Sequence, residues 1–233
     1  MLQTLSHSDA LMRTTLVLRR LSRPALSSKE KYWRIKRAID LACVIIGGIV
    51  IVPFCALIAL AIKLDSRGPV FYRHERFGRS RRRFRVLKFR TMATNGDEIL
   101  KRTLAQDPVL RAEWERDQKL RDDPRVTRVG RLLRITSLDE LPQLWNVFVG
   151  EMSLVGPRPI VANEFKKYGA KLDTYTQVTP GITGLWQVSG RNNTTYEQRV
   201  QFDCQYVATR SITLDLAILL RTVKVVLFRE GAY

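Results

Sequence analysis

The sequence predicts an α+β protein, mostly helical and monotopic, with a re-entrant N-terminal helix in the membrane, a short β-hairpin and amphipathic helices at the interface. Three observations carry this. No charged residue occurs from Leu41 to Ile62, while both flanks of that run are strongly basic. Two short β-type runs, Val70–Arg73 and Phe84–Arg90, bracket the polar tip Gly78–Arg83. Most of the remaining chain shows helical spacing and helical start and stop residues. The chain divides accordingly into a tail over residues 1–28, a membrane segment over 29–66 and a cytosolic domain over 67–233.

The tail has no signal-peptide core or cleavage site, because Arg13, Arg19 and Arg20 interrupt its apolar residues. Leu11–Leu21 fits a short basic amphipathic helix, and disorder fits as well. The charge-free run would reach about 33 Å as a helix, enough for a hydrocarbon core of about 30 Å. Lys29, Lys31, Arg34, Lys36 and Arg37 precede it; Lys63, Arg67, Arg73, Arg76 and a series from Arg79 to Arg85 follow. Positive charge stays on the cytoplasmic side, so a spanning helix would have to push one cluster across. A segment that dips in and returns keeps both inside. Pro53, near the midpoint, removes a helical hydrogen bond and favours a break there.

Beyond Gly68-Pro69, strand alternation puts Lys88 and Arg90 on one face of the second hairpin strand. Asp107-Pro108 reads as N-cap and first helical position. Arg125, Arg128, Arg131 and Arg134 recur at three-residue intervals, a common face if helical. Leu141–Val149 is an apolar helix closed by Gly150, and Val161–Tyr175 reads as a further amphipathic helix. Pro180-Gly181 and Gly184 form a loop where backbone could approach a ligand closely. Ile212–Phe228, with sparse charges Asp215, Arg221 and Lys224, is an amphipathic helix for the interface or for packing on the fold.

A net charge of +18 over 233 residues calls for an anionic partner: nucleic acid, an anionic membrane surface or phosphorylated substrates. No nucleic-acid module is recognisable, and the arginines cluster beside carboxylates that would repel a phosphate backbone. With only His7 and His74, a histidine triad or zinc site is disfavoured. Cys43, Cys55 and Cys204 make no metal-ligand spacing and indicate a reducing compartment.

The chemistry concentrates between Arg134 and Pro159. Asp139 and Glu140 are adjacent carboxylates among arginines, and Arg158 sits in the rigid run Gly156-Pro157-Arg158-Pro159. Two readings of this stretch are open together. Ser137 with Glu140 three residues later has the spacing of a capping box. A helix N-terminus would also attract a phosphate, with Arg134 and Arg158 placed to clamp it. Trp186, Gln187 and Arg191 offer stacking and hydrogen bonds to a base or sugar.

The run Ser137-Leu138-Asp139-Glu140-Leu141-Pro142-Gln143-Leu144, then Asn146-Val147 and Met152 to Pro159, closely resembles the bacterial sugar transferase family. Lys36-Arg37 with Asp40, Gly68-Pro69-Val70-Phe71, Lys88-Phe89-Arg90-Thr91-Met92 and Pro180-Gly181-Ile182-Thr183-Gly184 match in order. The resemblance spans about Tyr32 to Phe228. It implies a monotopic phosphoglycosyl transferase that moves a hexose 1-phosphate from a UDP-sugar, of galactose or glucose, to polyprenyl phosphate. It also implies the cytoplasmic face of the bacterial inner membrane, exopolysaccharide synthesis, and a proline-broken re-entrant helix. Many members place a small polar residue before that proline; here it is Val52. Asp139 would be the nucleophile and, with Glu140, hold Mg²⁺. Lys88, Arg90, Arg134 and Arg158 would bind phosphates, Gln187 and Arg191 the nucleotide or sugar, and Asp215 matches an acidic position of the family. Homo-oligomerisation is left open. The rival readings are a membrane-tethered nucleic-acid binder and a non-enzymatic scaffold.

Overall fold

The computed structural model describes residues 28–117, 120–190 and 194–227. The tail expected over residues 1–28, apart from Ser28, and Arg191 lie outside them. The described chain is mostly helical with two small two-stranded sheets, and one long apolar helix stands at its N-terminal end.

Helix α1 spans Ser28–Asp65 and contains Pro53 without interruption. The break expected at Pro53 does not end the helix. Proline removes one donor, and the uniformly apolar turns on either side continue the pattern. The helix is long and apolar enough to cross a membrane, with mean hydropathy 2.9. Ile45, Ile46, Ile49, Val50, Val52 and Leu57 are all more than half exposed. Both ends of the run instead pack on the same body. At one end Lys36 and Asp40 are buried, and Arg37 donates to the carbonyls of Val147 and Phe148. At the other, Ile58 and Ile62 join Phe89 and Leu133 in a core, and Asp65 accepts from the Val129 amide.

The hairpin pairs β1 (Phe71–Phe77) with β2 (Arg83–Phe89) in antiparallel register. β1 is longer than the four residues expected, because Phe77 is buried at its end and its amide bonds the Ile160 carbonyl. Tyr72, His74 and Arg76 stand opposite Lys88, Val86 and Phe84, and all six share one face of the sheet.

The polar stretch after the hairpin forms α2 (Gly96–Gln106), α3 (Pro108–Asp117) and α4 (Arg128–Thr136). Asp107 Oδ1 accepts from the Val109 and Leu110 amides, the expected N-cap. The expected arginine row divides. Arg125 precedes α4 and chelates Asp123, Arg131 pairs with Asp122, and Arg134 turns inward.

Helix α5 (Gln143–Val149) ends at Gly150 in the left-handed conformation, φ 87°. The capping box expected at Ser137 does not form. Ser137 is left-handed, φ 57°, and closes α4; Leu138–Glu140 is a single 3₁₀ turn without a side-chain cap. Nor is Val161–Tyr175 one helix. It breaks into α6 (Phe165–Tyr168) and α7 (Leu172–Tyr175), because Gly169 takes φ 52°, which ends a right-handed turn. Strands β3 (Ser153–Val155) and β4 (Gly181–Thr183) pair in parallel. The glycines there serve strand packing rather than an open loop: a Cβ on Gly181 would lie 2.1 Å from the Gly156 amide nitrogen. Helices α8 (Tyr196–Thr209) and α9 (Ile212–Leu227) complete the fold.

Candidate active site

The left-handed Ser137 reverses the chain at the end of α4 and carries Asp139 and Glu140 back against β2. There Lys88 bridges both carboxylates. Its Nζ lies 2.7 Å from Glu140 Oε1 and 3.7 Å from Asp139 Oδ2. Arg158 Nη1 approaches the same Glu140 oxygen at 3.9 Å. Arg134 donates through Nε to Thr91 Oγ1 at 3.0 Å. Burial raises the Asp139 carboxyl above the usual carboxylate range; Lys88 and Arg134 oppose this, and the neighbouring Glu140 adds to it.

These residues line a cleft of about 1010 Å³ between the hairpin, α4 and the β4 segment. Lys88, Arg90, Arg134, Arg158 and Gln187 all reach it. Their employment differs. Arg90 commits its two terminal nitrogens to the carbonyls of Ser66 and Arg67 and to Ser66 Oγ, which ties the end of α1 to β2. Gln187 Nε2 donates to the Ile182 carbonyl at 3.4 Å, and its Oε1 is buried with no partner among the described residues. Trp186 donates to Thr194 Oγ1 and stacks between Arg158 at 5.9 Å and Arg199 at 4.9 Å.

Asp215 is not in the cleft. It is buried under α1, accepting from Lys36 Nζ at 2.8 Å and from Tyr206 OH at 2.8 Å. Asp40 lies nearby, accepting from Ser153 Oγ and the Leu154 amide. The matched motif of Lys36, Arg37 and Asp40 thus anchors α1 to β3, α5 and α9.

Sequence reasoning missed His74, Arg76 and Arg125, which also line the cleft. The signal was the alternation in β1. Carried to Phe77, it places residues 72, 74 and 76 on the face that bears Lys88.

Among the described residues no group of three or more histidines, cysteines or acids is positioned for a metal. Asp139 and Glu140 nevertheless fit Mg²⁺, which takes hard oxygen donors and is held by one or two carboxylates, with substrate phosphates and water completing its shell.

The bacterial sugar transferase family model matches residues 31–229. The chain belongs to this family. Among its relatives is the UDP-galactose-lipid carrier transferase of Erwinia amylovora, 50% identical over 199 residues. That alignment covers 85% of this chain and 42% of the relative, so the chain spans about two fifths of that protein. The exopolysaccharide production protein ExoY of Sinorhizobium fredii is 44% identical over 198 residues, covering 85% of this chain and 88% of ExoY. A UDP-glucose:undecaprenyl-phosphate glucose-1-phosphate transferase of Caulobacter vibrioides is 41% identical over 208 residues, covering 85% and 72% respectively.

Proposed function

We propose that this sugar transferase moves a hexose 1-phosphate from a UDP-sugar to polyprenyl (undecaprenyl) phosphate at the cytoplasmic face of the inner membrane, through a covalent aspartyl intermediate. The observation that carries this is the Asp139–Glu140 pair, bridged by Lys88 inside an arginine-lined cleft at the foot of an apolar helix. Relatives at 50% and 51% identity carry galactose in their names, which favours UDP-galactose over UDP-glucose. Exopolysaccharide synthesis is the process this transfer would begin, as the name of ExoY indicates for that relative.

In the first step an Asp139 carboxylate oxygen attacks the β-phosphorus. The bond to the bridging oxygen breaks and UMP leaves with the electron pair. In the second, an oxygen of the polyprenyl phosphate attacks the same phosphorus, the acyl phosphate bond breaks, and the Asp139 carboxylate is regenerated. The acceptor is largely ionised at neutral pH and needs no general base. Lys88, Arg134 and Arg158 neutralise the phosphoryl charge. Asp139 and Glu140 would hold Mg²⁺, which supplies further charge neutralisation when bound. Because burial raises the Asp139 carboxyl, its nucleophilic form is lost as pH falls, at a higher pH than for an exposed aspartate; Lys88 limits that loss.

Purified enzyme given Mg²⁺ and UDP-galactose without acceptor should release close to one UMP per active site and add hexose-phosphate mass to the peptide containing Asp139. Full turnover without either signal would replace the covalent path with a ternary complex.

A re-entrant course for α1 is part of this proposal, and the docking of two of its stretches on one body supports it. Lys36 to Asp40 and Ile58 to Asp65 contact one body, which can lie on one side of a bilayer only. A re-entrant course leaves the exposed residues between them in lipid and both basic flanks in the cytosol. With single cysteines at Lys31 and Ser80 in a background lacking the native three, an impermeant reagent outside spheroplasts should label neither. Labelling at one of them would mean a spanning helix.

A further inference from the structure

We infer that Arg76 is a further phosphoryl-binding residue of this cleft, forming with Arg158 an anion subsite beside the Lys88–Asp139–Glu140 centre. The inference rests on the transferase reading above, for it concerns a substrate phosphate. It deepens that reading by assigning a residue that no family motif marked.

The register places Arg76 on the same face of the hairpin as Lys88. Arg76 lines the cleft, and its side chain is about four-fifths covered. What holds it is weak: Nη1 is 3.7 Å from Glu164 Oε2, and Nη2 is 3.3 Å from His74 Nδ1. A guanidinium in its preferred role makes short, forked contacts with an oxyanion.

Glu164 is shared among several donors and holds Arg76 only at 3.7 Å. Its oxygens accept from the Val161 amide at 2.9 Å, Tyr196 OH at 3.0 Å and Arg199 Nη1 at 3.2 Å. Arg199 is itself buried against Trp186 and Tyr196, and its Nε and Nη2 have no partner among the described residues. The other acid close by, Asp203, is buried and accepts from Tyr168 OH at 2.6 Å. Arg76 and Arg199 thus share Glu164, and Arg158 has only a 3.9 Å contact with Glu140. Burial first, and then the charge of Arg158, hold the Arg76 guanidinium below its ordinary range. Two like charges kept close in a partly desolvated cleft are costly in the empty protein. An oxyanion between them would remove that repulsion and accept the unused donors. The Glu164–Arg199–Tyr196 network is the scaffold that keeps Arg76 and Trp186 in place for it.

The phosphoryl group has two sources, the nucleotide or the lipid phosphate. The test is binding to the full-length protein in detergent, using UMP by calorimetry and undecaprenyl phosphate by quenching of tryptophan fluorescence. Arg76→Gln should weaken one of them roughly 10- to 100-fold. Loss confined to UMP assigns the subsite to the nucleotide, and loss confined to undecaprenyl phosphate assigns it to the acceptor. Unchanged binding of both, in a variant that still melts cooperatively, overturns the inference; a purely structural arginine would lower the melting temperature and leave these constants alone. Should the Gln variant not fold, Arg76→Lys keeps the charge without the fork. It should bind several-fold more weakly, and wild-type affinity for both ligands would equally overturn it. These titrations do not need turnover. Failure of the wild-type protein to transfer sugar phosphate would sink the transferase reading, while the binding constants still decide Arg76.

Discussion

Asp139→Asn should lower sugar-phosphate transfer by about a thousandfold or more while leaving the protein folded and membrane-bound, as removal of a nucleophile does elsewhere. Asparagine matches aspartate in size but cannot form the acyl phosphate. The structural cost should be small, since Asp139 lies in a 3₁₀ turn where no side-chain cap is made. Its carboxyl is desolvated, with its pKa raised, so the charge gives the fold little. Activity is read by transfer of labelled hexose phosphate to polyprenyl phosphate, and folding by the melting curve in detergent. Residual activity above a few per cent would move the nucleophile elsewhere and leave Asp139 as a metal or positioning group.

Asp215→Ala should give the largest loss of stability, about 3–5 kcal/mol, because it strands the Lys36 ammonium in a buried site. For a chain of this size that corresponds to a fall of roughly 10 °C in melting temperature. Tyr206 would lose this acceptor as well, keeping the Val155 carbonyl at 3.3 Å. The double substitution Lys36→Met with Asp215→Leu removes both charges and should recover most of the loss, since an apolar pair of similar volume avoids the desolvation cost. Melting curves of the three proteins decide it. A single variant as stable as the wild type, with activity lost, would place Asp215 in the chemistry instead of the anchoring of α1.

The standing of Asp215 shows where linear motifs stop. The sequence showed an acidic residue matching the family, but not that its partner is Lys36, 179 residues away. Arg90 is similar. Strand alternation aimed it with Lys88 toward the cleft, correctly, yet its terminal nitrogens hold the carbonyls of Ser66 and Arg67. Pattern fixes the face on which a side chain stands and says nothing of the carbonyls waiting there.

Several elements were legible because their cause is local. The absence of charge over Leu41–Ile62 forces an apolar helix, Asp107-Pro108 starts one, and Gly150 ends one. The carboxylate pair and its arginines were visible because unlike charges rarely crowd within one short stretch without a shared task. Errors arose where a local signal had two outcomes. Ser137 with Glu140 has the grammar of a capping box, but Ser137 at φ 57° closes the preceding helix instead. Val161–Tyr175 has helical spacing that Gly169 interrupts at φ 52°.

The sequence by itself determined the apolar helix with its basic flanks and the hairpin, because charge, periodicity and turn residues act over a few residues. Tertiary structure alone decided that Lys88 bridges Asp139 and Glu140, that Arg76 joins the cleft, and that Lys36 to Asp40 and Ile58 to Asp65 dock on one body. Those facts depend on strand register and on a single left-handed residue. Distances between groups far apart in sequence are set by packing, which no local pattern encodes.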